Sequence, residues 1–504
     1  MLEVIIIWGI VFVSFILAIQ SRRRSAQSLP SVPYTLPWFG VAIEFGRDSV
    51  QFFSKYRHRF GPVFNVLLTG LEITMICDEE GIRNAFRDKT QAFGTYTVHQ
   101  QILRKLGGVK GDTVHLMKDH LFPIILRAFG TSNGVESISP RFNAEISTAL
   151  MGRYDSHSES AYTTELVPLV GHCLFDATSR VVFGDLFPTD IFPDFEILDQ
   201  QLTLLLSPIP FAARKAMRSR DRILRAIEVY LQQSWNGSSL EGASPMANDM
   251  FSLIRGANLP LSDEAGVLLS FMWGMHSNTI NTTHWLFIYL LSDKPSFLRI
   301  RDEIDSTMGT KYGGDINNFL SSSSSTLRSG DFPLLDSAIK ETLRLTIQMS
   351  ALREAHKDTE VVYGDGKRAF IREGSLLFLN VGSIQNGGRP DEESCQFRLD
   401  RYLPNQKDGT AGKQPPFFAF GSGAHMCKGR SYALYQLKVF LILCVTLFDM
   451  TLLDESGKDF VGDIPSSDPS TPGLARPVRR LLVRMERRQD GKDANKGFGN
   501  GDSV

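Results

Sequence analysis

The run FAFGSGAHMCKGR, which surrounds Cys427, holds the residues of this sequence best suited to chemistry. Phe420, Gly421, Gly423 and Gly429 flank the cysteine in the pattern F-G-x-G-x-x-x-C-x-G. Glycine allows the backbone to turn tightly and to approach a flat bound group closely. A long apolar run with helical spacing follows, and a helix amino terminus stabilises a thiolate through its free N–H groups and its dipole. The pattern predicts a metal-binding thiolate at Cys427; a buried free cysteine ahead of a helix is the plainer alternative.

The remaining cysteines argue against other kinds of cysteine chemistry. The chain has five cysteines in all, namely Cys77, Cys173, Cys395, Cys427 and Cys444. No two of them have CxxC spacing, which disfavours zinc ribbons and thioredoxin-like redox motifs. Their odd number and wide scatter also disfavour a disulfide framework, as is typical of a reducing, cytosol-facing compartment. The four others are expected to be small apolar core residues.

The cysteine loop resembles the haem-binding loop of the cytochrome P450 family, and further segments match in order and spacing. Glu341 and Arg344 in SAIKETLRL resemble the family's E-x-x-R, and Arg401 in FRLDRYL resembles the arginine that joins them in a network. Glutamate and arginine at i and i+3 share one helix face, and a second arginine can bind the same carboxylate bidentately. The resemblance implies a buried network that holds the cysteine loop under the haem, whereas an isolated E-x-x-R is ordinarily a surface ion pair.

The resemblance covers nearly the whole chain and is closest in detail to the branch that contains cholesterol 7α-hydroxylase and prostacyclin synthase. It implies a mainly α fold with small β-sheets, haem b (iron protoporphyrin IX) as the cofactor and Cys427 as the axial iron ligand. A thiolate ligand pushes electron density towards the iron and favours O–O cleavage. The first hypothesis is therefore a monooxygenase that oxidises a hydrophobic small molecule (a sterol, terpenoid or polyketide-like compound) with O2 and electrons from NADPH-cytochrome P450 reductase.

Two other functions stay open at this point. Prostacyclin synthase rearranges a peroxide and needs no electrons, so an electron-independent isomerase or dehydratase of an oxygenated lipid is the second hypothesis. A non-catalytic haem-binding protein is the third, and a long helix with polar groups over the haem disfavours it.

The run from about 262 to 293 predicts that helix, which is long enough to cross the whole body of the protein. In typical monooxygenases of the family its centre carries a small residue, an acid and a threonine, which steer protons to bound oxygen. This sequence has Gly274, then Ser277 in place of the acid and Asn278 in place of the threonine, followed by Thr279. The substitution resembles the sterol-hydroxylase and prostacyclin-synthase branch.

Asn278 and Thr279 are therefore the candidate catalytic residues, for handling oxygen or substrate. An asparagine side chain both donates and accepts hydrogen bonds, so Asn278 could orient a water, a substrate oxygen or both. The alternative is an asparagine that satisfies a kink in the helix. His276 close by is either an active-site base or a packed core histidine.

Haem propionates need cationic or donor partners. His425 stands where the family commonly has arginine, and a neutral imidazole still donates one hydrogen bond. Arg353 in SALREAHKD resembles another propionate-binding arginine of the family. Lys428 and Arg430, with Lys413 upstream, form either a basic patch for an acidic electron donor or ordinary solvated charge.

The rest of the body has mainly helical apolar spacing, with a few runs typical of strands. Helical runs are FFSKYRHRF, ALMGRYDS and DRILRAIEVYLQQSW, and strand-like runs are VFNVLLTG, LEITMIC, SLLFLNV and RRLLVRME. Ser262 is expected to cap the long helix, with acidic residues following it. The sequence thus predicts one predominantly helical catalytic domain, residues 45–486, with small sheets near both ends.

The amino terminus predicts a membrane anchor over residues 1–24. Residues 4–19 are uncharged and almost wholly apolar, and three arginines follow them at 22–24. The alternative, a cleaved signal peptide, is disfavoured because Glu3 precedes the apolar run and the positive charge trails it. Because positive residues stay cytoplasmic, we expect a single-pass protein of the endoplasmic reticulum membrane whose body faces the cytosol.

Composition sets the remaining limits. Prolines at 30, 33 and 37 predict a stiff, extended linker over residues 25–44, or else a plain disordered one. Residues 487–504 are expected to be a disordered tail. The formal net charge of −1 provides no global field for nucleic acid, which we exclude as a partner.

Overall fold

The computed structural model describes residues 29–488 of the 504, with gaps at 89, 158–160, 207–212, 238, 323–329, 348–349, 386–394, 404–415, 469–473, 475 and 478. The segment expected to anchor the chain in a membrane lies outside the described residues, as do Lys413 and the tail from 489 onwards.

The described elements are mainly helical. The α-helices are α1 Ala42–Arg47, α2 Ser49–Phe60, α3 Glu79–Phe86, α4 Tyr96–Gln101, α5 Phe122–Ile125, α6 Ser132–Asp155, α7 Leu166–Phe183, α8 Phe192–Gln200, α9 Leu202–Leu206, α10 Arg214–Ser234, α11 Pro245–Gly256, α12 Leu261–Ser292, α13 Lys294–Tyr312, α14 Ile316–Ser321, α15 Pro333–Thr346, α16 Val381–Gln385 and α17 Arg430–Leu447. Short π-helical segments occupy Ile102–Leu106, Leu116–Leu121 and Leu126–Gly130.

The strands form small sheets. They are β1 Val63–Leu68, β2 Leu71–Ile76, β3 Phe93–Gly94, β4 Ala161–Glu165, β5 Ser350–Ala355, β6 Thr359–Tyr363, β7 Lys367–Ile371, β8 Leu376–Asn380, β9 Phe448–Leu453 and β10 Leu482–Arg487. The described chain divides into two compact units, one formed by the described residues up to Gly94 with Leu352–Leu379 and the other by Thr95–Ala351 with the described residues from Asn380 onwards.

The first unit is built on a sheet of order β1-β2-β8-β5-β3, beside a β6–β7 hairpin. β1 and β2 pair antiparallel, whereas β2 and β8 pair parallel. Aromatic side chains fill the core under this sheet, with Phe45 in edge contact with Phe52, Phe53 and Phe378. Burying large aromatic rings in this way provides much of the stability of so small a core.

Part of the predicted linker belongs to this core. Val32 and Val41 are buried in it, and the backbone N–H of Val32 donates to the carbonyl oxygen of Asn65 at 2.9 Å. Helix α1 also begins inside the range 25–44. The described residues of that range, 29–44, are thus packed into the first unit and do not form the extended connector expected from its prolines.

The second unit is organised around α12. At 32 residues this helix is about 48 Å long, and it packs against α7, α10, α15 and α17. Three quarters of its residues are buried (24 of 32), which explains an apolar pattern that extends round most of the helix. A three-stranded sheet of order β4-β10-β9 completes the unit.

Most of the elements expected from periodicity are present. The four strand-like runs correspond to β1, β2, β8 and β10, and the long helix lies within one residue of its predicted bounds. The prediction of Ser262 as its N-cap is wrong, because the helix begins at Leu261 with Pro260 in the capping position. Residues 487 and 488, which were assigned to the tail, also belong to the fold: Arg487 ends β10, and Arg488 pairs with Asp305 at 2.8 Å.

Two described helices, α7 and α17, satisfy the length and hydropathy that a membrane span requires. Most of each helix is buried inside the second unit, as is common for the core helices of large domains. We therefore treat both as core helices.

Candidate active site

The cysteine loop is closed by its own backbone. The N–H of Cys427 donates to the carbonyl oxygen of Phe420 at 2.8 Å, and the N–H of Gly421 donates to that of Phe418 at 2.8 Å. Gly421 and Gly423 have φ angles of 68° and 67°, in the left-handed region that glycine adopts without strain. The loop ends three residues before α17, so the cysteine lies ahead of a helix amino terminus.

A second segment supports this loop from the side. A Cβ added to Gly130 would lie 2.6 Å from the carbonyl oxygen of Lys428, so the two backbones are in close contact. The hydroxyl of Ser431 donates to the carbonyl oxygen of Gly130 at 2.9 Å. Next to it, Phe129 stacks on Tyr432 of α17 and on Phe271 of α12, at ring distances of 4.7 and 6.3 Å. The π-helical segment Leu126–Gly130 therefore joins the start of α17 to α12.

Gly429 differs from the other glycines of the pattern. Its φ is −99°, and an added Cβ would meet only the Cβ of Phe129, at 3.9 Å. Neither backbone strain nor crowding in the described structure requires a glycine at this position.

The side chain of Cys427 is exposed, yet the surrounding protein still desolvates the sulfur. That desolvation raises the pKa of the thiol; a hydrogen bond from the backbone of Gly429 and the charges of Arg430 and Lys428 act in the opposite direction. In the protein without a bound metal, the neutral thiol is therefore favoured more strongly than in a free cysteine. Among the residues described, no group of three or more His, Cys, Asp or Glu side chains could hold a metal ion.

Glu341 and two arginines form a buried network in the same unit. Arg344 donates to both carboxylate oxygens, from Nε at 2.7 Å and from Nη2 at 2.9 Å. Arg401 donates from Nε to Glu341 Oε1 at 2.8 Å, and the backbone N–H of Arg398 donates to the same oxygen at 3.1 Å. Glu341 and Arg344 are 0% and 1% exposed, so this is an internal structure and not a surface ion pair.

Gln385 connects that network to the cysteine loop. Its carbonyl oxygen accepts a hydrogen bond from Arg344 at 3.3 Å, and its side-chain Oε1 accepts one from the N–H of Phe418 at 2.6 Å. Phe418 in turn closes the turn at Gly421. Sequence reasoning missed Gln385, because nothing in the segment GSIQN marks a glutamine as a link between two motifs.

Asn278 lies on an accessible stripe of α12. Gly274 is exposed with open space where a Cβ would stand, and Asn278 is partly exposed one turn later. Both share a helix face with Phe271, whose ring contacts Phe129 of the segment Leu126–Gly130 beside the cysteine loop. Thr279 is buried instead, and its hydroxyl donates to the carbonyl oxygen of Met275 at 3.4 Å.

His276 is packed in an aromatic part of the core. Its ring lies 4.5 Å from that of Phe175, and its Nε2 is 3.1 Å from the hydroxyl of Ser179. Burial lowers its pKa to about 3, so the imidazole stays neutral at physiological pH. The structure favours the core histidine of the two interpretations, because the side chain is wholly enclosed.

The two predicted propionate partners have different surroundings. His425 closes the short 3₁₀ turn Gly423–His425 within the cysteine loop and is partly buried. Arg353 lies in the first unit, where its guanidinium stands 5.3 Å from the ring of Phe86. Burial lowers the pKa of Arg353 to about 10. Its Nε has no hydrogen-bond partner in the described part of the chain, which fits a site that accepts an anion.

A cavity on another face of α12, lined by both apolar and polar side chains, was also missed. It has a volume of about 110 Å³ and is lined by Val167, Phe192, Phe195, Glu196, Asp199, Gln200, Ser277, Ile280, Asn281, His284, Arg476 and Pro477. Asp199 accepts hydrogen bonds from Ser277 at 2.7 Å and Trp273 at 2.8 Å, and pairs with Arg476. These residues are remote from one another in sequence, so no local sequence pattern predicts that they line one cavity.

Comparison with known proteins places these features in a family. The family model described as cytochrome P450 matches residues 30–462. The human 7-alpha-hydroxycholest-4-en-3-one 12-alpha-hydroxylase is 25% identical over 501 residues, covering 93% of this chain and 96% of the relative. The cholesterol 7-alpha-monooxygenase of Cricetulus griseus is 23% identical over 513 residues, covering 94% and 96%.

A solved structure shares the fold. The retinoic acid-bound cyanobacterial CYP120A1 superposes with a TM-score of 0.70 at 22% identity, over 92% of this chain and 100% of that one. At this identity the likeness concerns the fold alone, and it confirms the predicted architecture of helices with small sheets.

Proposed function

This chain belongs to the cytochrome P450 family, and from that premise we propose that it hydroxylates a sterol or a compound of similar shape and polarity. It is a haem-dependent monooxygenase acting on a hydrophobic substrate, as the cysteine loop predicted. The observation that supports the assignment is the exposed Cys427 at the end of a loop that Gln385 links to the Glu341 network. The relatives described above act on sterols by their names, which supports the substrate class.

The residues present fit haem b. When bound, the haem iron supplies the reductive activation of dioxygen. Cys427 provides the sulfur ligand, and Phe420, Gly421, Gly423 and Gly429 shape the loop that carries it. His425 and Arg353 are the proposed partners of the propionates, since a buried arginine whose Nε has no hydrogen-bond partner among the described residues can accommodate a carboxylate.

Haem affinity should increase with pH. The sulfur must be a thiolate to bind iron, and burial has raised the pKa of the free thiol, so haem uptake releases a proton near neutrality. Between about pH 6 and pH 8 the affinity should therefore rise by up to about tenfold per pH unit. The measurement is the transfer of haem to an excess of a second haem-binding protein at each pH. Cys427→Ser, which has no thiol to deprotonate, should lose this slope, and an equal slope in both proteins would contradict the assignment.

Asn278 and Thr279 are proposed to handle substrate or oxygen on the distal side. Asn278 lies on the accessible stripe of α12 beside Gly274, where its amide can meet a polar group of the substrate. A sterol offers few such groups on a large apolar surface, so one amide in a mainly apolar pocket can orient it. Thr279, whose hydroxyl is engaged with Met275, would act by shaping the helix backbone.

Membrane attachment and the electron donor belong to the same proposal. Four apolar side chains shortly after the predicted anchor 1–24 are exposed, namely Leu36, Trp38, Phe39 and Ile43. Exposed apolar side chains close together in the chain are suited to a lipid interface. We place the protein in the endoplasmic reticulum membrane as a single-pass protein, with residues 45–486 as the cytosolic catalytic domain. NADPH-cytochrome P450 reductase would then deliver electrons on the side of Lys428 and Arg430.

The test is turnover of a sterol panel by the holoenzyme with NADPH and the reductase. We expect a sterol to shift the haem absorption band as it binds, and NADPH consumption to match a product that carries one added oxygen. Product formed without reductase would indicate rearrangement and would overturn monooxygenation. A band shift without any product under either condition would indicate a non-catalytic binding protein.

A further inference from the structure

The cavity between α8 and α12 is formed by two helix faces within the second unit. On α12, the lining residues Ser277, Asn281 and His284 recur at i, i+4 and i+7 and therefore share one face. On α8 the lining residues have the same helical spacing, and they are Phe192, Phe195, Glu196, Asp199 and Gln200. Val167 at the start of α7 and the segment 476–477 also line the cavity. Four separate parts of the chain therefore surround one space.

Hydrogen bonds fix the spacing of these walls on either side of Asn281. Ser277, one turn before it, donates to Asp199 at 2.7 Å and ties α12 to α8. His284, about one turn after it, has its Nε2 3.0 Å from the carbonyl oxygen of Val167 and ties α12 to α7. Burial lowers the pKa of His284 to about 4, so this imidazole is neutral and donates its one hydrogen to the carbonyl. The three helices are therefore joined on both sides of Asn281.

Asn281 itself has no hydrogen bond among the described residues, although it lines the cavity and is only 6% exposed. Native proteins rarely bury an amide without a partner, because the group loses its bonds to water and gains none in return. An occupant of the cavity that pairs with this amide would satisfy it.

The charged groups around the cavity are already paired. Asp199 binds Arg476, so their two charges neutralise each other. Gln200 donates to Glu196 at 3.4 Å, and burial raises the pKa of this carboxyl against the opposing charge of Arg476. An ionic occupant would have to compete with these contacts, so the described walls suit an uncharged molecule.

Apolar side chains form the remaining walls. Ile280 lies on α12 beside Asn281, and the rings of Phe192 and Phe195 lie 6.4 Å apart on the facing helix. A buried water needs about two to four polar partners, and a single amide provides only part of such a set. A molecule with an apolar body and one polar group uses both kinds of wall. The volume of about 110 Å³ is comparable to that of the cavity of about 150 Å³ that holds benzene.

We propose that this cavity binds a small uncharged molecule with a cyclic apolar body and one hydroxyl group, about the size of phenol. The ring lies against Phe192, Phe195 and Ile280, and the hydroxyl pairs with the amide of Asn281, which both donates and accepts. The site is separate from the accessible stripe of α12, and the inference is independent of the proposed function.

The test is a calorimetric titration of the full-length holoenzyme with phenol and with benzene, which lacks the hydroxyl. The unchanged protein should bind phenol with a dissociation constant of about 1 mM or lower. It should bind phenol about tenfold more tightly than benzene, the usual effect of one hydrogen bond. In Asn281→Leu the two affinities should agree to within about twofold while benzene still binds, which shows that the cavity is intact. Equal affinities in the unchanged protein, or undiminished phenol selectivity in Asn281→Leu, would overturn the proposal.

Asn278→Leu locates the binding, because Asn278 lies on the accessible stripe and does not line the cavity. This variant should bind phenol within about twofold of the unchanged protein. Phenol should also leave the haem absorption band in place. Phenol that shifts the band and loses affinity in Asn278→Leu would be bound beside the haem, and the proposal would then fail.

A variant that fills the cavity should have a different effect from Asn281→Leu. Val167→Phe adds volume at the wall, while the carbonyl oxygen that His284 contacts belongs to the backbone. Phenol and benzene should both lose at least about tenfold in affinity, because too little of the space remains for either ring. The haem spectrum, which should be unchanged, checks the fold of this variant. Phenol bound as tightly as before would lie elsewhere in the protein, contrary to the proposal.

Discussion

Replacing Cys427 by serine should abolish the thiolate-type carbon monoxide spectrum and lower turnover by at least about 10³-fold, or about 4 kcal/mol of activation free energy. A serine hydroxyl cannot supply the electron density that a thiolate gives to iron, although the loop backbone is unaffected. The hydrogen bond from Cys427 N–H to Phe420 does not involve the side chain, so the fold should persist. Product formation with reductase and the carbon monoxide spectrum are the measurements.

Cys395→Ser is the control for this substitution. Cys395 is also free and exposed, but it lies outside the cysteine loop. Its replacement should leave the spectrum and the turnover as they are. A Cys427→Ser protein with the thiolate-type spectrum would remove the assignment of Cys427 as iron ligand and with it the proposed function.

Replacing Glu341 by glutamine should destabilise the second unit by about 3–5 kcal/mol, the usual effect of removing one partner from a buried ion pair. Arg344 would keep its charge at 1% exposure without a carboxylate, and the N–H of Arg398 would lose its ionised acceptor. Because Arg344 also holds Gln385, which holds Phe418, the cysteine loop should loosen as well. The midpoint of thermal haem loss, followed by the haem absorption band, should fall accordingly.

Glu360→Gln is the matched control, since it breaks a carboxylate–arginine pair with Arg368 that is largely exposed. An exposed pair contributes about 0–1 kcal/mol, so this variant should resemble the unchanged protein. If both variants lose haem at the same temperature, Glu341 does not stabilise the cysteine loop.

The sequence by itself determined the features that depend on residues close together in the chain. The glycine–cysteine pattern, the pairing of Glu341 with Arg344 and the bounds of α12 all follow from spacings shorter than a few turns of helix. Backbone geometry converts such spacings directly into a shared face or a tight turn. For the same reason the strand-like runs of the first unit were recognisable from their alternation and composition.

Only the tertiary structure decided which distant groups meet. Ser277 and Asp199 are 78 positions apart, and Phe418 and Gln385 are 33 apart, so no periodicity links them. The tertiary structure also decided that Thr279 is buried while Asn278 stays accessible. Adjacent side chains on a helix point about 100° apart, so helix packing determines which of the two is enclosed. Hydrogen bonding between remote elements depends on how whole helices pack. Neither residue type nor local spacing records that packing.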